Sequence, residues 1–367
     1  MNLSNHLPII SSRQLGLILI SIRVAVMTVF LPTAWSTPDP KNAWLSAILS
    51  GIGGMIITYL FVVLSRKYPD QTLIQIFETI FGKWLGALFS IIYLYFFLNI
   101  ASVIVREFAE VLNTALMPET PVSIFIVYVM VAVIFAVFRG LEAIIRTNAI
   151  TLPISLISLV VILCLLVKTY HPELILPILE DGIKPVVRGS LVPLSLFGEV
   201  ILLPMLYPYV QDKENVLRYS MLAQIISIFI LLGLILAIIS TFGAEEAKNL
   251  TLPVFSLVRM ISIANFFERV EAIMVAIWIS LLYTKMCIYL YVTVIGTAQL
   301  FRLKNVKCLI FPLGITVLIL ANKDFKNLSD LKYYTMKEWN PISLLIEYII
   351  PCFLVVVSYF SRRKRLT

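Results

Sequence analysis

Residues 190–210 read SLVPLSLFGEVILLPMLYPYV, an apolar stretch long enough to cross a lipid bilayer. It contains three prolines, Gly198 and, in its middle, a single carboxylate, Glu199. Proline removes a backbone donor and clashes with the preceding turn, so one unbroken α-helix is not expected here. A charge at membrane depth is rare and is by default functional. The stretch therefore predicts an interrupted transmembrane helix that carries a residue of a small-molecule site.

The composition of the whole chain agrees with a membrane protein. Of its 367 residues, 60% are hydrophobic and 14% are charged, whereas roughly a quarter of the residues of an average soluble domain are charged. The mean hydropathy is +0.96. We therefore expect a polytopic membrane protein in contact with the lipid bilayer.

Ten apolar runs approach the length of about 20 residues that a helix needs to cross the hydrocarbon, although the ninth run is short. The runs are Ser12–Trp35, Asn42–Leu64, Trp84–Glu110, Val122–Phe138, Ile144–Val167, Ser190–Val210, Leu217–Phe242, Val270–Ala298, Cys308–Ala321 and Pro341–Phe360.

The charges indicate topology rather than nucleic-acid binding. The net charge is +8, but the basic residues lie between apolar runs and at the C-terminus, without a basic aromatic platform. Lysines and arginines are more frequent in the segments that share a side with the N-terminus, so both termini are expected inside the cell. The cysteines and histidines show no spacing typical of a disulfide framework or a metal site, and we expect no metal and no cofactor.

Several connecting segments are longer than ordinary loops. Asp70–Leu85 has apolar residues at helical spacing, which favours a helix in the inner interface; alternatively, it extends the third span inward. The outer segments Lys168–Gly189, Ala244–Phe267 and Asn322–Asn340 are predicted to form surface helices or lids.

The third span has a polar face. Asn99, Ser102, Arg106, Glu110 and Asn113 follow each other at steps of three and four residues, which places them on one side of a helix. Arg106 and Glu110 can neutralise each other or contact a ligand. In either case this side must face the interior of the bundle.

The eighth span repeats this pattern at steps of seven. Glu271, Trp278 and Lys285 align on one face, with Tyr283 beside them. We expect Lys285 to lie deep inside the hydrocarbon region.

The first span carries Arg23, at a depth that matches Glu199 because the first and sixth spans run in opposite directions. One hypothesis is an ion pair between these two residues, since an isolated arginine at the bilayer centre costs at least about 2.5 kcal/mol. The alternatives are that Arg23 binds a ligand carboxylate, or that the pair only stabilises the bundle.

Five spans precede the long outer segment and five follow it. Both halves open with a span that ends in Leu-Pro, at Leu31-Pro32 and Leu203-Pro204. An odd number of spans per half inverts the second half, as in transporters with discontinuous first and sixth helices. We therefore predict an all-α polytopic membrane protein with a 5+5 inverted-repeat (LeuT-like) fold. It would form one integral membrane domain over residues 1–367, with repeats at about 12–167 and 190–360.

Sequence motifs throughout the chain add a family resemblance. The chain resembles the B subunit of the GerA-type spore germinant receptors, a branch of the amino acid, polyamine and organocation transporter superfamily. The matching motifs are Ile10-Ser11-Ser12-Arg13-Gln14, Pro32, Asn42-Ala43-Trp44-Leu45, Phe197-Gly198-Glu199, Leu252-Pro253-Val254-Phe255-Ser256-Leu257, Phe267-Glu268-Arg269-Val270-Glu271 and Trp278.

The resemblance implies a subunit of the spore inner membrane that recognises a small germinant, commonly an amino acid, and works with A and C subunits. One departure concerns the first span, where relatives usually have glycines and this chain has Ile22–Thr28. Glycine lets a backbone leave the helix and approach a ligand. Arg23 could replace such backbone contacts with its side chain.

We expect the ligand pocket to lie between the first, third, sixth and eighth spans. Its predicted residues are Arg23, Thr28, Tyr95, Asn99, Gly198, Glu199, Leu202, Tyr283 and Lys285. Gly198 would permit the helix break, and Glu199 would receive a ligand amine, a hydroxyl or a proton. Aromatic packing is the alternative for both tyrosines.

Three functions fit this sequence. The first is germinant sensing; the second is proton-coupled secondary transport of amino acids or other small organic solutes, through Glu199 or Lys285. The third is an assembly or ion-conducting role without ligand binding. The sequence contains no nucleotide motif and no soluble catalytic constellation, so an enzyme is not expected.

Overall fold

In a computed structural model of the chain, residues 10–28, 39–250, 252–261, 270–325 and 327–361 are described. All named elements in these ranges are helical, as the sequence predicts. The α-helices are α1 (Ser12–Met27), α2 (Ala43–Lys67), α3 (Leu73–Ala115), α4 (Val122–Arg139), α5 (Leu141–Leu165), α6 (Ile183–Gly198), α7 (Leu203–Leu206), α8 (Val216–Phe242), α9 (Ala244–Asn249), α10 (Pro253–Arg259), α11 (Val270–Leu300), α12 (Ile310–Lys323), α13 (Leu328–Tyr333), α14 (Asn340–Leu344) and α15 (Ile350–Ser361).

Nine helical segments of the described residues are long and apolar enough to cross a membrane, by length and composition. They correspond to the second to tenth predicted spans. The first predicted span contains α1, an uninterrupted α-helix of 16 residues that passes through Arg23. The Leu31-Pro32 dipeptide, where an interruption was expected, lies outside the described residues.

The centre of the bundle is formed by α1, the sixth span (Ile183–Tyr209) and α11. In both the sixth span and α11, 78% of the most apolar segment is buried, against 22% in the span that contains α12. α1 packs between α8, α11 and α5. These central helices carry the charged residues that the sequence analysis selected, so those charges lie inside protein rather than against lipid.

The start of α1 is fixed to the end of the sixth span. The Ile10 amide donates to the Tyr209 carbonyl at 2.9 Å, and the Gln211 amide donates to the Ile10 carbonyl at 2.9 Å. The Ser12 amide and hydroxyl both donate to the Asp212 carboxylate. Burial raises the pKa of Asp212, but the Ser12 hydrogen bonds outweigh this and hold it below its usual value.

Gly82 divides α3 into two helices. Its φ of 77° lies in the region that side chains other than glycine rarely adopt. The short helix before it folds back on the long one, so that Phe77 and Phe81 stack on Phe89 at ring distances of 5.6 and 4.8 Å. The chain between the second and third spans therefore forms a separate helix and not a simple inward extension of the third span, whereas its position in the inner interface stays a prediction.

The last span begins earlier than the sequence predicts. Residues 328–361 form a continuous helical segment in which π-helical turns, Tyr334–Trp339 and Leu345–Ile349, alternate with α13, α14 and α15. Helix thus forms within the predicted segment Asn322–Asn340, but from Leu328 it is continuous with the last span rather than a separate element. By contrast, α9 and α10 are separate short helices within the segment Ala244–Phe267, as predicted; their location on the outer side stays a prediction.

Candidate functional site

The sixth span changes its hydrogen bonding at Glu199. α6 ends at Gly198, a 3-10 helix covers Glu199–Leu202, and the short α7 follows. Pro204 has no amide to donate to the preceding turn, which favours this change. The predicted interruption therefore occurs as a change of helix type at the carboxylate, and it leaves Glu199 in the centre of the bundle.

Gly198 has a different role from the one expected. Its φ of −67° and ψ of −16° are ordinary helical values, so its backbone does not require glycine. A Cβ atom at this position would instead lie 2.8 Å from the Glu347 Cβ and 2.8 Å from the Tyr348 Cε2. Glycine is needed here because the last span packs directly against the backbone of α6.

Glu199 forms an ion pair with Lys285. The Lys285 Nζ lies 2.5 Å from the Glu199 Oε1, and the two side chains are only 1% and 11% exposed. The other carboxylate oxygen, Oε2, has no hydrogen-bond partner among the described residues. The pair joins the sixth span to α11 and leaves one acceptor free.

The predicted ion pair between Arg23 and Glu199 is wrong. Arg23 is completely buried, yet within the described ranges none of its three guanidinium nitrogens has a hydrogen-bond partner. It interacts with Glu199 and Glu347 only through longer-range electrostatics. The long side chain of Lys285 reaches Glu199 from α11. Arg23 lies on α1, which stays helical, and does not line the cavity described next.

A cavity adjoins the Glu199–Lys285 pair. Its empty volume is about 570 Å³, including the open space at its mouth. It lies between α1, α3, α6, α11 and the last span, and its charged lining consists of Glu107, Glu199, Lys285 and Glu347. Aliphatic side chains, Ser195, Thr335 and Trp339 complete the wall. A few charged groups in a largely apolar cavity are typical of a small-molecule site.

Two of the lining carboxylates, Glu107 and Glu347, are not among the predicted site residues; they are 4% and 1% exposed. Glu107 follows directly after Arg106, which lies on the polar face of α3. It belongs to another face, with Ile100, Val103 and Ile104, and this face lines the cavity. Glu347 is the only carboxylate in the apolar run from Ile342 to Val357. A charge inside such a run is itself a signal of a site.

Two of the predicted residues, Glu199 and Lys285, line the cavity. Arg23, Gly198 and Leu202 are buried near them without lining it. Asn99 accepts a hydrogen bond from the Tyr334 hydroxyl at 2.9 Å. These six residues therefore belong to the same region of the bundle, and their contact with a ligand remains a prediction.

The other three predicted residues lie elsewhere. Tyr95 is 66% exposed on the outside of α3, and the Tyr283 hydroxyl donates to the Ala132 carbonyl of α4 at 3.3 Å. Thr28 lines a smaller, apolar cavity of about 290 Å³ with Phe255, Trp278 and others. These three residues therefore do not line the charged cavity, and their contact with a ligand stays a prediction. Helical spacing alone does not fix which neighbour a face meets.

A family model described as spore germination protein matches residues 9–327. The chain belongs to this family. Spore germination protein KB of Bacillus subtilis (strain 168) is 28% identical over 369 residues, which cover 97% of this chain and 96% of that protein. Spore germination protein XB of Bacillus anthracis is 25% identical over 361 residues, covering 96% of this chain and 98% of that protein. The predicted family resemblance is confirmed.

The fold of this spore germination protein is that of LeuT-like transporters. A Na+-coupled sialic acid symporter in a substrate-bound outward-open state has a TM-score of 0.66 and 12% identity, covering 96% of this chain and 78% of that chain. MhsT in complex with L-phenylalanine has a TM-score of 0.59 and 14% identity, covering 95% of this chain and 98% of that chain. The predicted fold class is confirmed, and the chain is an integral membrane protein.

Proposed function

We propose that this chain is the transporter-like membrane subunit of a spore germinant receptor and binds a small germinant in the charged cavity. The germinant would be an amino acid or a similar nutrient. Membership of the spore germination protein family supports the process. The observation that carries the site is the buried Glu199–Lys285 pair, which adjoins a cavity and keeps one carboxylate oxygen without a partner.

The location of the pair suggests how binding would produce a signal. Glu199 lies where the sixth span changes from α- to 3-10 helix, and Lys285 lies on α11. A ligand that binds either group alters the interaction between these two central helices. Binding would thus favour one of two arrangements of the bundle, and a partner subunit would respond to the shift.

The cellular setting belongs to the same proposal. The A and C subunits of the receptor would be the partners, the spore inner membrane the location, and both termini would lie on the core side. The excess of lysine and arginine on that side supports this orientation. The protein would act by binding and conformational change rather than as an enzyme.

The substitution Glu199→Gln tests the site. It removes the charge that holds Lys285 but preserves the shape of the side chain. Germination measured against germinant concentration should require at least about tenfold more germinant, because a buried charge pair is lost.

Glu110→Gln is the matched control, since Glu110 is equally buried but pairs with Arg106 away from the cavity. At equal protein levels its dose response should equal that of the wild type. An unchanged response in the Glu199→Gln spores would refute the proposed site.

A further inference from the structure

The charges that line the cavity are not balanced. Three carboxylates, Glu107, Glu199 and Glu347, border it together with one ammonium group, that of Lys285. Lys285 is already paired with Glu199 at 2.5 Å. In the part of the chain that the structure describes, neither Glu107 nor Glu347 forms an ion pair. Carboxylates therefore outnumber cationic side chains in the lining of the cavity.

Glu347 is a deeply buried carboxylate without an ion-pair partner in the described parts of the chain. It is 1% exposed, and its Oε2 has no hydrogen-bond partner among the described residues. Arg23 interacts with it electrostatically but does not donate a hydrogen bond to it. Burying a carboxylate without a hydrogen-bonded counter-charge is costly. Such a group indicates a position that a positively charged partner can occupy.

The helix that carries Glu347 departs from α-helical geometry at this residue. Glu347 lies in the π-helical turn Leu345–Ile349, and π-helical turns occur frequently at functional sites. Gly198 allows the turn to pack directly against α6. The carboxylate thus reaches the cavity from a helix held at close range to Glu199.

The neighbouring part of the last span supplies an aromatic wall. Trp339 borders the same cavity, and its ring stacks on Phe96 at 4.8 Å and 10°. Tryptophan is the aromatic side chain that attracts cations most strongly. A carboxylate and an indole at one cavity are complementary to an organic ammonium group. Its N–H groups can donate hydrogen bonds to the carboxylate, and its apolar substituents can pack on the indole.

We infer that Glu347 is the binding residue for an ammonium group of the ligand, with Glu107 adding a second negative charge at the same cavity. This inference rests on the proposed function of the cavity as a germinant site. It assigns the cationic end of the ligand to the last span rather than to Glu199, whose charge Lys285 already neutralises.

The experiment uses the full chain in lipid nanodiscs, with the unfolding temperature measured against the concentration of small probes. Propylammonium carries only the cationic group, propionate carries only the anionic group, and potassium chloride supplies an inorganic cation. Propylammonium is expected to raise the unfolding temperature saturably in the wild type. Propionate and potassium chloride at the same ionic strength should not.

The substitution Glu347→Gln should lower the apparent affinity for propylammonium by at least about tenfold. Glu107→Gln should lower it less, and Glu347→Asp, which keeps the charge, should lower it less than Glu347→Gln. Glu338→Gln is the matched control, because Glu338 is exposed on the same span. The apparent affinity of the Glu338→Gln variant for propylammonium should equal that of the wild type.

An affinity that is unchanged in Glu347→Gln, or equal losses in the Asp and Gln variants, would overturn the inference. The inference would also be overturned if potassium chloride raised the unfolding temperature of the wild type as propylammonium does, or if propylammonium did not raise it. If Glu347→Gln does not fold, the wild-type comparison of the three probes still decides between a cationic and an anionic group. The germination response of Glu199→Gln tests the proposed function separately, so the two can fail independently.

Discussion

Two buried ion pairs in this bundle have similar burial but different surroundings. Arg106 and Glu110 are 4% and 6% exposed and belong to one helix, α3. The Arg106 Nε and Nη2 donate hydrogen bonds to the Glu110 Oε1 at 2.8 and 2.6 Å, and Nη1 donates to the Ala321 carbonyl in the last turn of α12. Lys285 and Glu199 join two different helices beside a cavity, and Glu199 keeps an oxygen without a partner.

Burial alone therefore does not distinguish the two pairs, whereas their surroundings do. In the Arg106–Glu110 pair each guanidinium nitrogen donates a hydrogen bond within the protein, and neither residue lines the cavity. Around Glu199, by contrast, unpaired atoms of Arg23 and Glu347 lie near the same cavity. Unsatisfied buried polar groups are costly and usually have a functional explanation.

The largest expected effect is that of Lys285→Met, which leaves Glu199 as an unpaired buried charge. Removing one partner of a buried pair typically costs about 3–5 kcal/mol. The free energy of unfolding of the purified protein should fall by this amount, and less protein should accumulate in the membrane. The double variant Lys285→Met/Glu199→Gln should recover part of the stability, because no isolated charge remains. Wild-type stability in the single variant would mean that the ion pair does not form.

A smaller loss is expected from Gly198→Ala. The new Cβ would lie 2.8 Å from the Tyr348 Cε2 and would displace the Glu347 side chain. Overpacking of this kind costs about 1–3 kcal/mol. Both the unfolding temperature and the sensitivity to germinant should therefore decrease.

Gly233→Ala is the matched control for this change. Gly233 lies in α8, and its nearest neighbour for a new Cβ is the Leu163 Cδ1, at an ordinary 3.6 Å. This variant should be as stable as the wild type or slightly more stable, since alanine favours the helix. If both alanine variants behave alike, close packing between α6 and the last span is not what requires Gly198.

Much of this fold could be predicted from the sequence. The apolar runs locate nine membrane-crossing segments, because length and composition are local properties. Helical spacing also predicted that Asn99, Ser102, Arg106 and Glu110 share a buried face. Glu199 and Lys285 were recognisable because a charge inside an apolar run must have a partner or a role.

The contacts between helices could not be predicted in the same way. Helical spacing defines the faces of one helix but not the neighbour that each face meets, so Tyr95 was expected in a cavity that it does not line. For the same reason the sequence left an Arg23–Glu199 ion pair as one of several hypotheses, whereas the structure pairs Glu199 with Lys285. A π-helical turn contains one residue more than an α-helical turn, so the residues that follow it point in other directions than α-helical spacing predicts. No residue pattern in the sequence predicted the two π-helical turns that contain Trp339 and Glu347.

The smallest expected effect concerns the satisfied pair. In the double variant Arg106→Met/Glu110→Met, apolar side chains of similar length replace both charges. Replacing a buried ion pair in this way is often neutral, but the hydrogen bond from Arg106 to the Ala321 carbonyl is also lost. The free energy of unfolding should therefore change by no more than about 1 kcal/mol.

The response of the double variant to germinant should equal that of the wild type, because the pair lies away from the cavity. Arg106→Met alone should be much less stable, since it leaves Glu110 unpaired, and it serves as the control that the pair is truly buried. The germination dose response of the double variant is the decisive measurement. A shifted response at normal stability would show that the Arg106–Glu110 pair takes part in sensing, and that satisfied hydrogen bonding does not separate structural from functional charges in this bundle.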